Sequence, residues 1–161
     1  MSIFRFHVPG EAARREYSVY IVVICNRKSK DISYYVGKTG DNRAGNNPVI
    51  SRFGNHLSFN PIHSQVRTKI GDPENHDFEV FATSFGAYRP PSVSRDGVDL
   101  INELERRLNR MAQDDLGAVL NPFKGTGHVP KLKREQRSRL ATKERVEQLK
   151  ELIDAVKKFR R

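Results

Sequence analysis

Two residues four apart, Arg52 and His56, form the pair in this chain best suited to acting together on one small group. On a helix that spacing sends both side chains from one face. A guanidinium can fork onto two phosphoryl oxygens, which an ammonium does less well, and an imidazole titrating near neutrality can relay a proton. Tyr20 and Tyr35 sit in β-branched, aromatic runs that read as neighbouring strands, so a register that pairs them brings both hydroxyls out on one face. A phenol needs help as a base, because with a pKa near 10 only about one part in a thousand is ionised at neutral pH. Glu103 and Glu105 on a long helical run supply carboxylates, and Asn121 beyond it supplies a neutral amide able to donate to a phosphate or to orient a carboxylate or a water. These residue types meet the three needs of phosphodiester hydrolysis: activating water, offsetting charge on the phosphoryl oxygens, and helping the leaving oxygen depart.

The elements that carry these groups follow from the hydropathy pattern. Tyr17 to Cys25 and Ile32 to Lys38 read as a β-hairpin, with the polar, basic Asn26 to Asp31 between them. Phe4, Phe6 and Val8 alternate with polar residues as in a short strand before Pro9-Gly10. After the turn-rich Gly40 to Asn47, helices are expected over Pro48 to Phe59 and Pro61 to Ile70, then a third strand over Asp77 to Phe85. Val98 to Leu116 is a helix with Ile101, Leu104, Leu108 and Met111 on one side, stopped by Gly117. A last amphipathic helix starts near Glu135 and carries Val146, Leu149, Leu152, Ile153, Val156 and Phe159. The order argues an α+β fold, a small three-stranded antiparallel sheet flanked by helices with a basic C-terminal helix.

Ser18-Val19-Tyr20 on the first strand and Tyr35-Val36-Gly37 on the second resemble the two half-motifs that name the GIY-YIG nuclease superfamily. Arg52, His56, a glutamate on the long helix and Asn121 match that family's order, so the resemblance covers about residues 17 to 123. Ser18 replaces the first glycine, Val36 replaces isoleucine, and the hairpin loop is longer than the family's usual spacing. The resemblance implies a metal-dependent endonuclease that hydrolyses DNA, leaving 5′-phosphate and 3′-hydroxyl ends. It implies Tyr20 as the residue that takes the water's proton, with His56 and the metal assisting. Tyr35 would bond the water or phosphate, Gly37 would admit DNA close to the backbone, and Lys38 would add a phosphate contact.

Helical geometry ranks the two glutamates for the metal. At about 100° per residue, Glu105 falls at the edge of the apolar stripe, near Ala112 and Val98, whereas Glu103 points away toward an ordinary solvent pair with Arg107. Glu105 is the expected ligand, holding one Mg2+ (or Mn2+) together with waters and the substrate's phosphate. Asn121 completes the expected catalytic set of Tyr20, Tyr35, Arg52, His56 and Glu105.

Charge points to the same partner. The 161 residues carry a net charge of +10, and residues 131–161 hold 12 basic against 5 acidic residues, leaving a surplus of only 3 for residues 1–130. A basic chain is biased toward a polyanion, whose counterions it releases. Double-stranded DNA is the expected partner, with Lys131, Lys133, Arg134, Arg137 and Arg139 following its backbone. The expected organisation is a nuclease domain over residues 1–130 and a helical extension over residues 131–161, whose apolar face packs on the domain or on a second subunit. A stand-alone cutter of the type II restriction kind, working as a homodimer, leads among the subtypes. A phage, mobile-element or repair nuclease, a non-catalytic DNA-binding protein of the same fold, and a basic adaptor for an acidic partner are the competing expectations.

Several features exclude other classes. The chain has no run apolar enough for a membrane span or a signal peptide, so a soluble, cytoplasmic protein is expected. Gly37-Lys38-Thr39 ends like a phosphate-binding loop, but Ile32 stands where that motif needs a glycine. The single cysteine, Cys25, forms no internal disulfide and is expected as inert core at a strand end. His63, His76 and His128 lack zinc-like spacing and are expected at the surface.

Overall fold

The unbroken apolar run of β1 (Glu16–Asn26) is explained by its place, the middle of a three-stranded antiparallel sheet between β2 (Ile32–Lys38) and β3 (His76–Ala87). Both of its faces are covered, so the period-two alternation that a half-exposed strand would show is lost. The computed structural model describes residues 3, 5–40, 48–60, 62–90, 92, 95–124 and 134–160. The fold is α+β, as the element order argues.

Alternate residues of β1 feed two cores. Tyr17, Val19, Ile21 and Val23, with Tyr34 and Val36 of β2, pack against α3 (Asp96–Asp115) and α5 (Lys143–Phe159) through Leu104, Leu108, Leu149 and Ile153. Tyr20, Val22 and Ile24, with Tyr35, face α1 (Val49–Leu57) and α2 (Gln65–Ile70) through Val49, Phe53, Leu57 and Val66. The register pairs Tyr20 with Gly37 and Val22 with Tyr35, so the two tyrosines are diagonal neighbours on one face.

The outer edge of β2 is closed by the chain leaving α3. Val119 bridges Tyr34 in parallel; the Tyr34 N–H donates to the Ala118 carbonyl at 2.9 Å, and the Leu120 N–H donates to the Tyr34 carbonyl at 2.7 Å. Gly117, at φ +92°, lets the helix end and the chain turn back to that edge. Asn121, Glu105 and β2 are brought together by this return.

Three expectations about elements are corrected. Residues 5–9 form no strand, and Phe6 is 75% exposed with a 3₁₀ turn, Gly10–Ala13, following it; an alternation this short, ended by a proline that cannot donate, finds no strand to pair with. The helix expected from Pro61 begins at Gln65, and Pro61 itself lies outside the described residues. The tail is two helices, α4 (Arg134–Leu140) and α5, because Thr142 takes extended backbone at ψ 162° and its hydroxyl accepts the Arg145 N–H as an N-cap. The apolar face of α5 packs on the same core as α3, within one chain. Lys131 and Lys133 lie outside the described residues, as do the Arg134 side chain and His128; Arg137 is half-buried and Arg139 exposed. No helix among the described residues is long and apolar enough to cross a membrane.

Candidate active site

The centre of the site is a hydrogen bond of 2.7 Å between the Tyr20 hydroxyl and Nε2 of His56. Both residues are buried, Tyr20 wholly and His56 to within 2%. β1 sends Tyr20 onto the face that α1 covers, and α1 directs His56 back at it from its last turn. The ring of Tyr35 lies 4.6 Å from that of His56, centroid to centroid, so the imidazole stands against both phenols.

Gly37 makes this packing possible. A Cβ there would fall 2.4 Å from Cζ and Oη of Tyr20, so the cross-strand partner of Tyr20 has to be glycine if the phenol is to lie where it does. The face of Gly37 expected to admit DNA is taken by the Tyr20 ring.

Burial sets the protonation states. It raises the Tyr20 phenol above its usual range, reinforced by the neighbouring Tyr35 and Glu105 and opposed by Arg52. Tyr35 is pushed up to about 12, mainly by burial and then by Glu105, again with Arg52 opposing. His56 is pulled down to about 4 by burial and by the Arg52 charge, while the backbone of His63 pulls the other way. At neutral pH the cluster is therefore two neutral phenols and a neutral imidazole beside one guanidinium. Nδ1 of His56 and Nε of Arg52 are both buried and make no hydrogen bond among the described residues. An imidazole whose proton sits on Nδ1 leaves the Nε2 lone pair to accept the Tyr20 O–H.

Glu105 comes from α3 around the β2 edge. It is 7% exposed, its Oε2 accepts from the Lys38 ammonium at 2.5 Å, and its charge is felt by both phenols. Among the described residues no three His, Cys, Asp or Glu side chains cluster as metal ligands. A single hard oxygen at the phenols fits a magnesium-like ion, which keeps most of its waters and takes the rest of its shell from phosphate. Such an ion would compete with Lys38 for Oε2.

Asn121 is engaged differently from expectation. Its Oδ1 accepts the Val36 N–H at 3.1 Å and its Nδ2 donates to the Val36 carbonyl at 2.7 Å, so both ends of the amide extend the β2 edge pairing. The loop that carries it is held by Asn109, whose Nδ2 donates to the Asn121 carbonyl and whose Oδ1 accepts from the Phe123 N–H, each at 2.9 Å. Sequence reasoning missed Asn109. The signal available was an asparagine four residues after Glu105, at a helix position bordering the apolar stripe.

Glu103 corrects the solvent-pair expectation. It is fully buried, accepting both Nε and a terminal nitrogen of Arg106 and Nε of Arg107, all at 2.8 Å. Burial alone would raise its carboxyl, but those hydrogen bonds hold it below the usual range. The apolar stripe understates the buried face of α3, since Glu103 lies outside that stripe and is still fully buried. Glu103 makes its ion pairs with Arg106 and Arg107, and Glu105 makes its own with Lys38. Cys25 is half-buried at the strand end and free, and His63 and His76 are half-buried too. Comparison with family models, with curated proteins and with solved structures finds no match.

Proposed function

We propose that this protein is a metal-dependent endonuclease that hydrolyses DNA phosphodiester bonds at the Tyr20–His56 pair. The observation that carries the reading is the 2.7 Å hydrogen bond from a buried phenol to a neutral imidazole, with the Nε of Arg52, unpaired among the described residues, the ring of Tyr35 and the carboxylate of Glu105 close around it. In this reading the attacking water gives its proton to Tyr20 as Tyr20 passes its own to Nε2 of His56, which removes the need for a free phenolate. Arg52 binds the phosphoryl oxygens. Burial is the first cause that holds His56 down and the Arg52 charge the second; the phosphate offsets the second, so the imidazole regains part of its basicity when substrate is bound. Tyr35 donates to the phosphate or to the water, and Lys38, displaced from Glu105, neutralises a neighbouring phosphate.

A magnesium or manganese ion on Glu105 would supply Lewis-acid stabilisation of the departing oxygen. The subtype we favour is a stand-alone, type II restriction-like cutter of double-stranded DNA acting as a homodimer on symmetric sites. Incubating plasmid with the protein and Mg2+ is expected to nick or linearise it; EDTA and Glu105→Ala are each expected to abolish that. Cutting that persists in EDTA would refute the proposal. A second reading, a DNA-binding protein of the same fold without catalysis, draws on Lys38 occupying the carboxylate, and it predicts DNA binding indifferent to EDTA and to Glu105→Ala.

A further inference from the structure

Large apolar side chains stand exposed near the N-terminus, at Ile3 and Phe6, and again beside the candidate site, at Phe59 and Ile62. Phe59 is 83% exposed and Ile62 is 71% exposed, three residues apart in the connection between α1 and α2. Single exposed apolar residues are ordinary, but two large ones on a short connection beside a buried reactive cluster are not. The connection begins directly after the last turn of α1, which carries His56, and it includes His63, whose backbone acts on the same imidazole.

The connection is built to hold these side chains outward. The Ser58 hydroxyl donates to the Asn55 carbonyl at 2.8 Å, Oδ1 of Asn60 accepts the Ile62 N–H at 3.0 Å, and the Asn60 carbonyl accepts the N–H groups of His63 and Ser64 at 3.1 and 2.9 Å. Ser64 and Val66 anchor its far end in the core. The Phe59 ring has one supported face: the Arg67 guanidinium carbon lies 3.9 Å from its centroid, and Arg67 is itself fixed by donating from Nε to the Leu57 carbonyl at 2.8 Å. The ring therefore stands as a fixed plate with a cation behind it and most of its surface open to solvent.

We propose that the α1–α2 connection is a base-stacking wedge, in which Phe59 and Ile62 insert against nucleobases of DNA whose backbone is held at the Tyr20–His56 site. The ligand class is a nucleic acid with an opened or openable base step. Apolar side chains used in this way unstack a step and bend the strand, and aromatic plates stack on any base through its π face. Arg67 lies beneath the plate with its guanidinium also 4.0 Å from the exposed Glu74 carboxylate, so it offers a partly offset positive charge to a strand carrying a phosphate at every step. The inference rests on the DNA-cleavage reading of the adjoining site and gives it a way of opening the duplex next to the bond to be cut.

The chain contains no tryptophan, so Phe59→Trp creates a single reporter at the plate. It is titrated at low salt with mixed-sequence single-stranded and double-stranded DNA, with heparin as a polyanion lacking bases, and with phosphatidylserine-containing vesicles. DNA binding is followed in parallel by anisotropy of a labelled strand. Stacking predicts that DNA quenches the emission by roughly half or more and that heparin does not. Phe159→Trp, on α5 over the opposite face of the sheet, is expected to stay unquenched, and Phe59→Ala/Ile62→Ala is expected to weaken DNA binding on the order of tenfold. Bound DNA that leaves Phe59→Trp unquenched overturns the wedge while leaving the nuclease reading intact. A blue shift with vesicles in place of quenching by DNA overturns it in favour of a lipid surface. Failure to bind any DNA overturns both.

Discussion

The depressed pKa of His56 makes the stability of the protein depend on pH between the ordinary imidazole value and about 4. In the unfolded chain the imidazole takes a proton as pH falls through its ordinary value of 6.5, whereas in the folded chain it resists until about 4. Between those values the unfolded state binds one more proton, so stability falls as pH falls. Each pH unit removes about 1.4 kcal/mol, and the whole window removes about 3 kcal/mol. Below about pH 4 the contribution is exhausted, and above 6.5 it is fully present. The residue is 2% exposed, so solvent screening relieves little of this. The assay is urea unfolding at half-unit intervals from pH 7.5 to 4.5 for the wild type and for His56→Gln, which keeps a polar partner for Tyr20 but does not titrate. The wild type is expected to lose stability through the window and the variant to lose about 2.5 kcal/mol less by pH 4.5. Equal slopes in the two proteins would refute the claim that His56 is held neutral. Arg52→Met is expected to narrow the window, because Arg52 is the second cause of the depression.

Other consequences follow from single contacts. Gly37→Ala sets a Cβ 2.4 Å from a fully buried phenol and is expected to destabilise by about 1–3 kcal/mol, lowering the melting temperature by ~2–4 °C per kcal/mol. An unchanged melting temperature would mean that the Tyr20 ring does not lie across Gly37. Asn121→Ala removes both hydrogen bonds to Val36 and is expected to cost about 2 kcal/mol and to speed exchange of the Val36 amide; unchanged protection there would contradict the edge clamp. Thr142→Ala is expected to cost about 1 kcal/mol and Thr142→Ser much less, read from denaturant midpoints, since the hydroxyl caps α5.

The sheet and the long helix were legible because their patterns are local. The hairpin, β3 and α3 announce themselves through β-branched runs, alternation and a three-four apolar stripe, and each stands within a few residues of its expected position. The expectation that Tyr20 and Tyr35 share a face held because side chains of paired strands obey a period of two. What failed depends on contacts that no local pattern carries. Glu103 looked solvated because a helical wheel of α3 alone carries no record of what the rest of the chain packs against it. The break between α4 and α5 was missed because Thr142 reads as a tolerable helix residue until its capping geometry is seen. Asn121 was expected to face the chemistry, yet a side-chain amide matches the backbone pattern of an open strand edge well enough to be used up there. The Lys38–Glu105 pair spans 67 positions and left no local trace.

The central claim is that Tyr20 and His56 act as one unit on a DNA phosphodiester. Its most direct test is the single-turnover rate of Mg2+-dependent plasmid nicking by the wild type, Tyr20→Phe, His56→Ala and the double variant. If one proton passes through both residues, each single change slows nicking by roughly 10²–10⁴-fold and the double change is little worse than either alone. Losses that multiply in the double variant, or a Tyr20→Phe protein that nicks at the wild-type rate, would contradict the account.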